Sequence, residues 1–204
     1  MTQGKVVFTG KRVILRQKLL EDGSNDFAWR VDKELSRFDA TEPISMSYRD
    51  FMKYFRDELS HTSASSKKFS IDTKEGRHIG NCMYYDIDHE IGQAELGIMI
   101  GDRNYWGKGY GTDCVRALLG HIFLTTSLNK VYLHTLNWNY RARHAFAKAG
   151  FLEIMDVKRG GMNFVKMEID RDEWTARCEK EPRSIYDGDS ISGELFSRLC
   201  GRGC

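Results

Sequence analysis

Three glycines stand at alternate positions in YWGKGYGTD: Gly107, Gly109 and Gly111, with Lys108 and Tyr110 between them and Thr112 after them. Glycine removes the Cβ and relaxes the φ limits, so main-chain N–H groups can come close to a ligand. Directly downstream, Val115, Leu118, Leu119, Ile122 and Phe123 recur at i, i+3, i+4, i+7 and i+8, the stripe of an amphipathic helix. A helix N-terminus offers unpaired N–H groups and a partial positive charge. Glycines leading into a helix are therefore chemistry for a phosphate group. A plain tight turn rarely needs three glycines at alternate positions.

Two common phosphate loops do not fit. A Walker A loop has four residues between its glycines and a Ser or Thr after its lysine. Here five residues separate Gly101 from Gly107, and Lys108 is followed by Gly109, which has no hydroxyl for magnesium. A dinucleotide fingerprint is G-x-G-x-x-G with an acid about 20 residues on. The glycines here are spaced two and two, and the strand-like run Val131–Leu133 ends without an acid.

A third loop fits. Trp106-Gly107-Lys108-Gly109-Tyr110-Gly111 resembles the pyrophosphate motif (R/Q)-x-x-G-x-(G/A) of the GCN5-related N-acetyltransferases, the GNAT superfamily, with an aromatic in place of Arg or Gln. NYRARHAFAKAGF, Asn139–Phe151, is similar to the same family's N-x-x-A-x-x-x-(Y/F)-x-K-x-G-F helix. The resemblance runs from about Val6 to Trp174 and is nearest to the branch that acetylates ribosomal-protein N-termini (RimJ/RimL-like). It implies an α+β fold: a mixed, mostly antiparallel twisted sheet of about seven strands flanked by helices, with two central strands splayed into a coenzyme cleft. It implies acetyl-CoA as cosubstrate and no metal. The amides of Gly107 to Thr112 would hold the pyrophosphate, with Trp106 at the loop's start. Backbone of Ile98, Met99 and Ile100 would pair with the pantetheine arm, Asn139 would hydrogen-bond that arm or a water, and Phe146 would stand beside it.

The implied reaction is direct attack of an amine on the acetyl thioester. A lysine-like amine has a pKa of about 10.4 and a thiol about 8.5, so the site must remove one proton, polarise a carbonyl and supply another proton to the leaving sulfur. Glu95, which alternates with Gly97 and Met99, is the first candidate base; the bland alternative is a solvated or salt-bridged strand residue. His134, in KVYLHTL, is the second; a histidine on a strand is more often a satisfied part of the core. Several relatives have a tyrosine as acid where this chain has Phe146. Tyr140, Tyr84, Tyr85 or water would have to take that part. Asp39, Glu42 and DIDHE (Asp86–Glu90) could make an acidic mouth for a cationic amine, although DIDHE also reads as a solvated hairpin turn.

The elements that must position these groups are legible in outline. Val6–Gln17 reads as a strand or hairpin, Asn25–Leu35 as a helix with Phe27, Ala28, Val31 and Leu35 on one face, and Ser47 as the N-cap of a helix to about Leu59. KFSIDT, HIGNCMYYDI and QAELGIMIG read as an antiparallel meander. The Gly107–Gly111 loop and its helix follow, then the strand KVYLHTL, a helix Tyr140–Ala149 stopped by Gly150, two strands in FLEIMDV and FVKMEI, and a terminal helix in DRDEWTARCEK. Residues 1–181 read as one domain, and 182–204 as a tail, either one short helix or disordered.

Composition bounds the rest. The 204 residues are 41% hydrophobic and carry a net charge of +2, too small an excess to argue for nucleic acid or a membrane surface. No apolar run reaches the roughly 20 residues of a membrane span, and the N-terminus lacks a signal-peptide core, so the expected place is the cytoplasm. Of the five cysteines, Cys82, Cys114, Cys178, Cys200 and Cys204, only Cys200 and Cys204 are close, and no histidine lies near them, so reduced thiols are expected rather than a zinc site. The expected function is an N-acetyltransferase, monomer or homodimer. Its acceptor is a protein N-terminus or a small amine such as an amino sugar, aminoglycoside, polyamine or amino acid. The alternatives are a module that binds acyl-CoA without turning it over, and a peptide-binding scaffold without coenzyme.

Overall fold

The computed structural model of the chain describes residues 4–61 and 63–180. Eight strands form one sheet in the order β1-β2-β3-β4-β5-β6-β8-β7, and every neighbouring pair is antiparallel except β5 with β6. The expected count of about seven becomes eight because Val6–Gln17 is a hairpin: β1 (Val6–Thr9) and β2 (Val13–Gln17) turn back at Gly10. The meander is β3 (Ser66–Thr73), β4 (His78–Asp88) and β5 (Gln93–Ile100). After the helix α4 (Tyr110–Thr125) come β6 (Lys130–Leu136), α5 (Tyr140–Ala149), β7 (Leu152–Arg159), β8 (Met162–Asp170) and α6 (Arg171–Lys180). The tail expected at 182–204, with Cys200 and Cys204, lies outside the described residues.

The core lies between one face of the sheet and α4. Val115, Leu118, Leu119, Ile122 and Phe123 are all buried there, against Leu15, Ile71, Ala94, Leu96, Val131 and Leu133. α6 closes the same layer, with Trp174 5.4 Å from Phe123 between ring centroids. At about 1.5–3 kcal/mol for each fully buried large aliphatic side chain, this stripe is what holds the glycine loop at the sheet.

The opposite face carries the helices before the meander. The single helix expected over Asn25–Leu35 is two: α1 (Gly23–Arg30) and α2 (Lys33–Phe38). Asp32 breaks it, because its extended backbone and its Oδ1, which accepts from Glu34 and Leu35 N–H at 3.0 Å each, start a new helix. The apolar face expected there also fails: Ala28 and Val31 are exposed, and α1 buries Gly23 and Asp26 instead. α3 (Tyr48–Ser60) starts where its cap is expected, with Ser47 Oγ accepting from Asp50 N–H at 3.2 Å.

What fastens α1 to the sheet is a buried polar network. Arg16 of β2 donates to both Asp22 oxygens at 2.7 and 2.8 Å and to Asp72 of β3 at 2.6 Å, and Ser70 donates to Asp22 at 2.7 Å. Lys18 pairs with Asp26 at 2.6 Å, and Asn81 of β4 donates to the same carboxylate at 2.6 Å. Buried charges so thoroughly paired fix geometry more than they add stability.

Candidate active site

Among the described residues the one parallel contact in the sheet is a short one. β5 and β6 pair over Gln93, Ala94 and Glu95 alone. Beyond that, β5 stays with β4 as far as Gly80↔Ile100, while β6 stays with β8 as far as Leu136↔Phe164. The two strands therefore splay. Gly101 N–H donates to Ile79 O at 2.9 Å, so backbone groups of 97, 99 and 101 point to β4 and those of Ile98 and Ile100 point into the gap. The expectation that Ile98, Met99 and Ile100 all offer backbone there is thus refined. Met99 spends its backbone on Asn81, and the Ile100 carbonyl accepts from the Trp106 indole N–H at 2.6 Å.

At the end of the gap lies a cavity of about 510 Å³. It gathers Ile98, Met99 and Ile100 from β5, Trp106, Gly107 and Gly109 from the loop, Gly111 and Thr112 from the first turn of α4, Asn139 from the N-cap of α5 and Phe146 from α5 itself. Lys108 and Tyr110 belong to the loop but do not line it. Lys108 is exposed, and Tyr110 packs edge-on against Tyr105 with ring centroids 4.9 Å apart. Gly107 and Gly109 have φ of +71° and +85°, left-handed values that need glycine here, and Gly109 is the N-cap of α4. Asn139 caps α5 through Oδ1, which accepts from Ala142 N–H at 3.3 Å, so a bond from Asn139 into the cavity falls to its amide nitrogen.

Two wall residues carry no signal in the sequence. Arg141 of α5 lies 3.6 Å from the Trp106 ring centroid, and Phe38 of α2 meets Trp106 edge-on at 5.7 Å. Trp106 is thus a wedge between α2 and α5, which gives an aromatic at that loop position a steric purpose. Arg141 is exposed at its edge; partial desolvation against the ring pushes its guanidinium down from its usual range, with Glu34 opposing.

A second cavity, about 640 Å³, opens on the other side of β5 under α1–α3. Three of its residues, Asp39, Ile98 and Met99, also line the first. Its other carboxylates are engaged: Asp26 by Lys18 at 2.6 Å, and Glu58 by Lys68. Among the described residues the Asp39 side chain pairs with Arg30 alone, at 4.0 Å. Asp39 is itself exposed; the apolar surroundings at the junction raise its carboxyl through partial desolvation, and Arg30 opposes that shift. Glu42 and DIDHE line neither cavity. Asp86, Ile87 and Asp88 are part of β4, where the register shifts between Tyr85 and Asp88, so the expected turn is shorter than DIDHE.

Glu95 and His134 come together. Both side chains are buried, and His134 Nδ1 lies 2.8 Å from Glu95 Oε1. Arg159 Nη2 is 3.1 Å from His134 Nε2. A guanidinium only donates, so Nε2 accepts and the Nδ1 proton goes to Glu95. With both ring nitrogens taken, His134 is an oriented partner. Neither residue lines a cavity, but Tyr85 lines the second and is hydrogen-bonded to Glu95. Burial first, then the Glu95 charge and hydrogen bond, push the Tyr85 phenol well above its usual range. Of the other tyrosines, Tyr84 is buried in the core against Phe69 and His121, whereas Tyr140 lines the first cavity and is exposed.

Residues 12–152 match the acetyltransferase (GNAT) domain. The chain belongs to the GNAT acetyltransferase family. A protein of Bacillus licheniformis, an uncharacterized N-acetyltransferase p20, is 33% identical over 124 residues, 59% of this chain and 68% of that one. The fold is shared with a spermidine N-acetyltransferase from Vibrio cholerae, solved with CoA and spermine: TM-score 0.70 at 20% identity, covering 79% of this chain and 97% of that one. It is shared too with an aminoglycoside acetyltransferase solved with coenzyme A: TM-score 0.68 at 21% identity, covering 80% and 98%. Among the described residues no three His, Cys, Asp or Glu are placed to hold a metal ion, and no helix is long and apolar enough to cross a membrane.

Proposed function

We propose that the enzyme acetylates a small cationic primary amine, of the polyamine or aminoglycoside kind, by direct attack on acetyl-CoA in the cytoplasm. The observation that carries this reading is the meeting of the two cavities at Asp39, Ile98 and Met99. A donor in the glycine-loop cavity and an amine in the other would face each other there. The substrates of the spermidine and aminoglycoside acetyltransferases that share the fold support an amine of this class. The two sequence motifs, by contrast, support kinship with the ribosomal-protein branch, whose acceptor is a peptide N-terminus.

Acetyl-CoA supplies an activated acetyl thioester; the rest falls to this chain. The amides of Gly107 to Thr112 hold the diphosphate, and the gap-facing backbone of Ile98 holds the pantetheine arm and sets its N–H beside the thioester carbonyl. Asp39 attracts the ammonium to the junction. Because the Tyr85 proton goes to Glu95, the Tyr85 oxygen presents lone pairs to the amine's N–H. In this arrangement Glu95 acts through Tyr85, and His134 and Arg159 hold Glu95 in place. Tyr140 or water returns a proton to the departing sulfur.

The test is thiol release from acetyl-CoA across spermidine, an aminoglycoside and an N-terminal peptide. Turnover is expected with the small cations. Asp39→Asn should lower kcat/KM for them by about 10- to 100-fold, the range of one charge-assisted hydrogen bond. Saturable coenzyme binding with no turnover on any amine would instead describe an inactive acyl-CoA-binding module. Turnover confined to the peptide would return the chain to the ribosomal-protein branch.

A further inference from the structure

We propose that Arg12, in the β1–β2 hairpin, is a coenzyme-binding residue whose guanidinium completes the diphosphate site begun by the glycine loop. The proposal rests on the coenzyme reading above. It starts from an apparent conflict. Asp113 lies in the first turn of α4, where a free carboxylate would repel a diphosphate. The structure turns that charge away from the loop. Asp113 is buried and accepts three backbone hydrogen bonds from the hairpin: Lys11 N–H at 3.1 Å, Arg12 N–H at 2.7 Å and Val13 N–H at 3.1 Å.

The consequence is a clamp between two distant segments. The helix that begins with the coenzyme loop carries the carboxylate that pins the hairpin to it. The fit leaves no slack, since a Cβ on Gly10 would lie 2.6 Å from Asp113 Oδ2. Pinned this way, Arg12 stands over the loop. Its Nε is 3.6 Å from where a Cβ on Gly109 would be, and its guanidinium carbon is 6.0 Å from the Tyr110 ring centroid. Arg12 is exposed, and among the described residues no carboxylate pairs with its guanidinium. A planar cation held beside bare amides with its fork free is matched to phosphate oxygens. The glycine triplet supplies neutral donors; Arg12 adds full charge from another part of the chain.

The test is steady-state kinetics of Arg12→Gln with three donors: acetyl-CoA, acetyl-dephospho-CoA and S-acetylpantetheine. KM for acetyl-CoA should rise about tenfold with kcat unchanged, the loss expected for one charge-assisted contact. The same rise with acetyl-dephospho-CoA assigns the contact to the diphosphate. With S-acetylpantetheine, which has no diphosphate, variant and wild type should agree. Lys5→Gln makes the same charge change next to the hairpin and should leave all three values alone. Arg12 is exposed, so its replacement should keep the wild-type melting temperature. An unchanged KM for acetyl-CoA overturns the proposal. So does a rise seen with acetyl-CoA but not with acetyl-dephospho-CoA, which would put the contact on the 3′-phosphate. If the wild type does not prefer acetyl-CoA to S-acetylpantetheine, the coenzyme reading itself fails, independently of Arg12.

Discussion

Gly109→Ala isolates the glycine loop from everything else in the site. Gly109 has φ +85°, and an alanine Cβ there would meet nothing nearer than Arg12 Nε at 3.6 Å, an ordinary contact. The substitution is therefore not blocked by space. What it meets is backbone strain, about 1–2 kcal/mol for an L-residue held in the left-handed region. That strain has two outlets. If the loop keeps its shape, the melting temperature falls by about 2–8 °C for a chain of this size. If the loop relaxes, its amides turn away and the same free energy appears as about 5- to 30-fold weaker coenzyme A binding. Gly161, in the β7–β8 turn, is the matched control: φ is +80°, a Cβ there would meet no atom within 4 Å, and it lines neither cavity. Calorimetric titration with coenzyme A and thermal melts of both variants decide the matter. Gly161→Ala should lose stability and keep affinity, and Gly109→Ala should lose affinity. Equal coenzyme affinity in the two variants, with Gly109→Ala keeping the wild-type melting temperature, would mean that the loop had relaxed without loosening its grip, and would refute the view that bare amides of this loop hold the diphosphate.

Two further outcomes follow from the polar networks. Glu95→Gln keeps an acceptor for His134 Nδ1–H, 2.8 Å away in the wild type, but its amide can donate to Tyr85 and reverse that bond. It should lower kcat about 10- to 100-fold without changing KM for acetyl-CoA, with Tyr85→Phe similar; a rate unchanged between pH 6 and 9 would remove Glu95 from the reaction. The second outcome concerns acid stability. Burial alone would raise the Asp22 carboxyl, yet the Arg16 bond, the His78 charge, Leu19 N–H and Ser70 hold it far below the usual carboxylate range. A depressed folded-state pKa gives stability that is full above the unfolded value near 4 and is lost as pH falls through the folded one. Urea midpoints should therefore drop below about pH 4 in the wild type. Asp22→Asn should be weaker by about 3 kcal/mol at pH 7, with a flatter acid limb; an acid limb as steep as the wild type's would show that another group governs it.

Much of the fold was legible because its signals are local. The α4 stripe, the Ser47 cap, the meander and Gly150 with φ +118° are each written within one turn or one strand. The errors were also local, where two signals competed. Over Asn25–Leu35 the apolar spacing argued for one helix, and Asp32 with free Glu34 and Leu35 N–H groups argued for a cap; the cap prevailed. In β1–β2 the run of β-branched residues left a single strand and a hairpin both open, because the turn at Gly10 is decided by contact with Asp113, over 100 positions away.

The site divides along the same line, and the division has a physical cause. A coenzyme gripped by main chain needs glycine, positive φ and a helix start in one short segment, so that end leaves a motif. An amine gripped by side chains needs only that carboxylates and phenols from separate elements converge, and convergence leaves no trace in spacing. Glu95 and His134 were singled out one at a time, and nothing in a separation of 39 positions announced the 2.8 Å contact. That contact depends on the three-residue parallel pairing at Gln93–Glu95, the last register before the strands part. Asp39 reaches the junction because α2 ends there, with its N–H bonded back to Leu35 O at 3.0 Å and Ala40 beyond it at φ +55°. Its placement therefore depends on α1 and α2 being held to the sheet, which is the task of Arg16, Asp22 and Asp72. A change of acceptor can then come from α1–α3 alone, while the glycine loop and its clamp on the hairpin stay as they are.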